Sequence, residues 1–103
     1  RSPTGGPPWR KPAPSEPQNL HGAALLRQGR VDEAIGRFRE ALARRPDYPQ
    51  AHNNLGVALA GQGKIAEAVE HFAAAVRLQP GYTDARNNLQ RAQADLRRSK
   101  GAP

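Results

Sequence analysis

The sequence predicts an all-α fold in which five helices stack as antiparallel pairs. The first reason is a 34-residue recurrence, since Tyr-x-x-Ala-x-Asn-Asn-Leu is written at 48–55 and again at 82–89. The second is the placement of proline. None occurs between Pro17 and Pro46, and the leucines and alanines in that interval have helical spacing. The third is side-chain size. The hydrophobic share is 37%, much of it alanine, and the large aromatics are only Trp9, Phe38, Tyr48, Phe72 and Tyr82. Small residues in place of bulky ones indicate helices packed closely around a thin core.

Residues 1–17, "RSPTGGPPWRKPAPSEP", hold six prolines and two glycines. Proline removes backbone donors and blocks helix interiors, so this segment reads as a basic, disordered linker with polyproline tendency. Helices are then expected at 18–28, 31–44, 49–61, 65–78 and 83–98, with a short tail at 100–103. Short connections make neighbouring helices antiparallel.

Aligning 15–48 with 49–82 gives each position a physical role. Gly22 and Gly56 fall in mid-helix, where glycine costs about 1 kcal/mol against alanine. That cost is tolerated where a neighbouring helix comes too near for a side chain. Gly29 and Gly63 follow apolar helical stretches and suit left-handed C-caps. Val31 and Ile65 open the next helices. Ala34 and Ala68 let those helices approach, and Phe38 and Phe72 fill the wedge beyond. Pro46 and Pro80 end each pair, because the residue before a proline is pushed out of helical geometry. Pro49 suits the first position of the following helix. A third copy starts at Thr83, matches through Leu89 and drifts into a polar capping helix.

This pattern resembles the tetratricopeptide repeat, a 34-residue helix-turn-helix unit. The second copy matches it with His52, Leu55-Gly56, Leu59, Ala68, Phe72, Ala75 and Pro80. The first matches with Gln18, His21-Gly22, Leu25, Ala34, Phe38, Ala41 and Pro46. Gln18 and Arg86 at the bulky first position, and His21 in place of leucine, depart from it and imply looser packing at the edges of the array. The resemblance covers about 85 of the 103 residues. It implies a right-handed superhelical stack of two full repeats and a cap. It also implies a concave face, lined by the first helix of each repeat, that holds extended or helical peptides. The residues it nominates for that face are Asn19, Ala23, Leu26, Arg27, Gln50, Asn53, Asn54, Val57, Asp84, Asn87, Asn88 and Arg91.

Asparagine offers donors and an acceptor together, which suits a peptide backbone of any sequence. It is also a poor helix former, so the two pairs at 53–54 and 87–88 need a reason. By helical phase Leu55 and Leu89 are core and the asparagines beside them are not. A ladder in the groove is the preferred reason; local capping of helix N-termini is the other. Of the lysine, asparagine and arginine set with which some family members clamp an acidic C-terminal tail, Asn54 alone is kept. A clamp of the Hsp70/Hsp90 type is therefore not expected, and the asparagines look more like the backbone-gripping ladder of the O-GlcNAc transferase repeats.

Other chemistry finds little support. His21 and His52 fall on repeat packing positions, His71 adjoins Phe72, and no two of them share metal-ligand spacing. Asp32, Glu33, Glu67 and Glu70 lie early in second helices, where they favour the helix dipole. No nucleophile, phosphate loop or catalytic carboxylate pair stands out, so neither an enzyme nor a cofactor is expected. No apolar run is long enough to cross a bilayer. Cysteine is absent, which removes disulfides and thiolate metal sites. The compartment is not written in the sequence, the cytoplasm being favoured. Methionine is absent too, so Arg1 reads as an internal residue of a longer protein. Thirteen of the sixteen bases are arginine, which with the alanine content suggests a GC-rich bacterial source.

The formal charge of +7 sits mainly at the ends, while residues 47–80 are nearly neutral. The basic C-terminal helix has no interleaved aromatics for base stacking, and Asp84 and Asp95 interrupt its charge, so specific nucleic-acid binding is not expected. Trp9 is either an idle linker residue or an anchor for a groove, since tryptophan is a common interface anchor. Two repeats and a fraction are few for a stable array. Leu20 and Leu26 at the open N-terminal end lack an obvious cover. Three functional readings follow: a module that binds a protein or peptide partner on its asparagine-lined face; a homo-oligomerising tether of a larger protein, such as a membrane enzyme; and electrostatic adhesion through the basic flanks.

Overall fold

The computed structural model describes residues 16–101, and every regular element among them is an α-helix. These are α1 (Glu16–Arg27), α2 (Val31–Arg44), α3 (Pro49–Gly61), α4 (Ile65–Leu78) and α5 (Thr83–Gly101). The three middle helices have the bounds expected from sequence. α1 begins two residues early and takes Glu16 and Pro17 from the stretch read as linker. Proline lacks only a donor that a first helical turn leaves unpaired anyway, so Pro17 is compatible with that position. α5 runs three residues past Arg98, because neither proline nor glycine interrupts 83–100.

The stops and starts are local chemistry. Gly29 and Gly63 adopt φ of +81° and +83°, the left-handed region that suits glycine. Around the first, Arg30 N–H bonds the Leu25 carbonyl at 2.9 Å and Gly29 N–H bonds Leu26 at 3.0 Å. The same pair recurs as Lys64 to Leu59 and Gly63 to Ala60. This crossed pattern satisfies carbonyls that a helix end would leave unpaired. Before Pro46 and Pro80, Arg45 and Gln79 are extended, at φ −144° and −141°. Pro49 then opens α3.

Consecutive helices pack on one another, and α3 also touches α1 on one side and α5 on the other. The core runs through Leu25, Ala34, Phe38, Leu55, Leu59, Ala68 and Phe72. A Cβ built on Gly22 would lie 2.6 Å from Cε1 of Phe38, and one on Gly56 would lie 2.5 Å from Cε1 of Phe72. The glycines are therefore the seats of the two phenyl rings, which are themselves buried. Ala34 and Ala68 have no exposed surface. The 34-residue period is thus a packing period, in which one ring per repeat lies against one glycine per repeat.

Candidate functional site

The first helices of the repeats, α1 and α3, and the cap α5 lie side by side. The asparagines form the seam between them. Asn19 Nδ2 donates to the Tyr48 hydroxyl at 3.3 Å, and Asn54 Nδ2 donates to Asn19 Oδ1 at 3.0 Å. One repeat later the arrangement is copied. Asn53 Nδ2 donates to the Tyr82 hydroxyl at 3.4 Å, and Asn88 Nδ2 donates to Asn53 Oδ1 at 3.0 Å. Each relay joins a tyrosine at the end of a repeat, an asparagine inside that repeat and an asparagine on the next helix.

This corrects the reading that places every asparagine beside Leu55 and Leu89 outside the core. Asn19 and Asn53 are each 6% exposed, and their amides are spent inside the relay. A buried asparagine is stable only if its donors and acceptor find partners, and here the tyrosine and the following asparagine supply them. Local capping is not their role either. The residues flanking the starts of α2, α3 and α4 are Arg30, Tyr48 and Lys64, and none makes a side-chain cap bond. Arg30 instead pairs with Glu33 at 2.7 Å. Burial lifts the Tyr82 hydroxyl above the ordinary tyrosine range, with the Asn53 contact opposing it, so the phenol keeps its proton.

Asn54 and Asn88 are half-buried, and only one N–H of each is used. Each keeps its Oδ1 and second N–H without a partner among the described residues. The relay bond turns the Nδ2 edge of each amide towards the neighbouring asparagine.

The remaining nominated residues divide by position. Asn19 and Gln50 line one recess of about 770 Å³, together with Leu20, Tyr48 and Leu78. Val57, Asn88 and Arg91 line a smaller one of about 80 Å³, floored by Phe72 and Ala92 and edged by Asp95. Val57 is 38% exposed. Asn87 is exposed and lines neither recess. Leu26 is half-buried and packs against the core cluster. It also has more cover than its end position suggested. Trp9 lies outside the described residues.

Leu20, which motif reading did not nominate for the face, lines the first recess. It stands 34 residues before Asn54, in the column that continues to Asn88, and it is 59% exposed. The signal was present in the repeat register. The column therefore changes from apolar at Leu20 to amide at Asn54 and Asn88, with Arg91 and Asp95 lining the recess beside Asn88.

Sequence spacing also missed a histidine contact. His21 is exposed rather than packed, but His52 and His71 bring their Nδ1 atoms to 3.1 Å. Among the described residues no group of three histidines, cysteines or carboxylates converges as a metal site. No described helix is long and apolar enough to cross a membrane.

A family model for the tetratricopeptide repeat matches residues 19–83. The Sgt2 repeat domain from Aspergillus fumigatus is similar, with a TM-score of 0.79 and 28% identity over 94% of this chain. The first repeat domain of Spaghetti (RPAP3), solved bound to the HSP90 peptide SRMEEVD, is similar in fold, with a TM-score of 0.77 and 22% identity over 80% of this chain. The alignment covers 65% of the length of each of those two chains. No curated protein sequence matches.

Proposed function

Since the chain belongs to the tetratricopeptide repeat family, we propose that it is a protein–protein interaction module that grips an extended peptide segment along the Leu20–Asn54–Asn88 column. The observation that carries this reading is the pair of oriented amides. Asn54 and Asn88 each offer an acceptor and a donor, which is what a peptide main chain needs to be held without regard to side chains. The relay turns them before a partner arrives, so less rotamer freedom is lost on binding. Flanking groups add selectivity. Leu20 and Val57 fit apolar side chains, and Arg91 fits an acidic one. The HSP90 peptide seated on the Spaghetti domain supports the use of this architecture for peptides. The mechanism is binding, with no covalent step.

The test is selection of a random twelve-residue peptide library on the immobilised protein, followed by titration of a selected peptide by calorimetry. Asn54→Ala/Asn88→Ala is expected to weaken that peptide by about tenfold or more, from roughly 1 kcal/mol per lost hydrogen bond. Its far-ultraviolet circular dichroism should stay helical. Equal affinity in the helical double variant would remove the groove from the account.

A second reading is homo-oligomerisation over the recess that Leu20 and Leu78, 59% and 39% exposed, both line. Light scattering over a dilution series separates the two. A mass that doubles with concentration supports self-association; a constant monomer mass leaves the groove as the working surface.

A further inference from the structure

We propose that His52, His71 and the Pro46 carbonyl form a proton-operated latch at the joint between the two repeats, closed while the pair carries at most one proton in excess and opened by the second. His52 lies in the first turn of α3, His71 in the middle of α4, and Pro46 in the turn that leaves α2. The contact therefore ties three segments from two repeats.

The hydrogen positions follow from valence. His52 Nε2 is 2.8 Å from the Pro46 carbonyl oxygen, which can only accept, so Nε2 carries the hydrogen. In neutral imidazole the other nitrogen is then bare, and His52 Nδ1 is an acceptor. His71 Nδ1 faces it at 3.1 Å and so must be the donor. The ring centroids are 5.3 Å apart and the planes differ by 26°. The excess of the centroid distance over the nitrogen distance is one ring radius on each side, so the rings meet head to head and not face to face. This is the geometry of an in-line N–H···N bond.

Protonation then acts in two stages. A first proton goes to His71 Nε2, which is not part of the contact, and the bond to His52 becomes charge-assisted. A second can only go to His52 Nδ1, which is the acceptor. Two N–H groups and two positive charges then confront each other where a bond had been, and the rings must part. The charged groups acting on His71 come from α2 (Arg39), α3 (His52) and α4 (Glu67 and Glu70). Burial first, then His52, hold the His71 imidazolium below the usual histidine range; Glu70 and Glu67 oppose this and Arg39 adds to it. α3 itself has no charged side chain other than its histidine. Arg45 and Asp47, on either side of Pro46, pair with each other at 3.7 Å. Because burial holds the His71 value down, the share of stability tied to its neutral form is complete above the ordinary histidine value of 6.5 and is drawn down as pH falls below it, while the contact itself parts only with the second proton.

The experiment has two readouts on the intact chain. Long-range 1H–15N correlation at pH 8 should find His52 as the Nε2–H tautomer and His71 as Nδ1–H, the less common form of a free imidazole. Thermal melts at pH 7.5 and pH 5.0 should then show the natural protein losing about 5 °C more than His71→Gln, whose amide still donates to His52 but does not titrate. Finding His71 as the Nε2–H tautomer overturns the latch. So does an equal loss in the two proteins, because the contact would then exist without holding the joint.

Discussion

Adding one methyl group at Gly56 should destabilise the protein, although the same change elsewhere in its helices should stabilise it. Glycine to alanine in a helix interior normally gains about 1 kcal/mol. At Gly56 the new Cβ would lie 2.5 Å from Cε1 and 2.7 Å from Cδ1 of Phe72, where ordinary contact begins at 3.4 Å. The ring would have to retreat by most of an ångström. Phe72 is 3% exposed and shares its cluster with Leu55, Leu59 and Ala92, so the only space beside the ring is the recess of about 80 Å³ that it floors. Overpacking of this kind costs typically 1–3 kcal/mol. We expect Gly56→Ala to lose about 1–2 kcal/mol and its urea midpoint to fall by about 1 M. Gly36 in α2 is the control, because a Cβ there meets nothing within 4 Å. Gly36→Ala should raise the midpoint, by a gain of about 0.5–1 kcal/mol. Shortening the ring in a Phe72→Leu background should shrink the Gly56→Ala penalty, since the two sites share one contact. If Gly56→Ala raises the midpoint as Gly36→Ala does, the ring-on-glycine account of the repeat is wrong.

Further outcomes follow from the same geometry. Gly63→Ala, at φ +83° with nothing near the added Cβ, should cost about 1 kcal/mol by backbone strain alone, and Gly29→Ala the same, both read by urea denaturation. Tyr48→Phe and Tyr82→Phe remove one end of each asparagine relay and should each lose about 1 kcal/mol of stability. They should also weaken a selected peptide by a few-fold, because Asn54 and Asn88 lose their orienting partners at one remove. Phe38→Ala should cost about 3–5 kcal/mol and leave the chain largely unfolded at room temperature, as circular dichroism would show. Leu20→Asn continues the amide column into the first repeat; it should lower any concentration-dependent mass in light scattering and leave the melting temperature nearly unchanged.

The fold was legible because its determinants are local and repeat. Gly29 and Gly63 announce left-handed caps, Pro46 and Pro80 announce helix ends, and Gly22 with Phe38 recurs as Gly56 with Phe72. Each is a backbone or volume rule that a spacing pattern can carry. The site was legible in part. Register put Val57, Asn88 and Arg91 together, and the structure brings these three to one recess. The burial of Asn53 and Asn19 was not legible because helical phase treats an asparagine as polar and therefore outward, whereas a tyrosine 29 residues on, at the end of the same repeat, satisfies it inside. The recurrence of Tyr48 and Tyr82 at the same 34-residue interval was the visible clue to that relay. The His52–His71 contact had no such clue. It joins residues 19 apart on two helices and occurs once, since the matching positions in the first repeat are Gln18 and Arg37.

The claim that the work of this protein is grip along the face shared by α1, α3 and α5 is most directly tested by mapping amide shifts. A library-selected peptide would be titrated into the 15N-labelled chain. The account predicts that the largest changes fall on Leu20, Asn54, Val57, Asn88 and Arg91, with the side-chain amides of Asn54 and Asn88 among them. Changes centred instead on the outer faces of α2 and α4, with those two side chains unmoved, would contradict it.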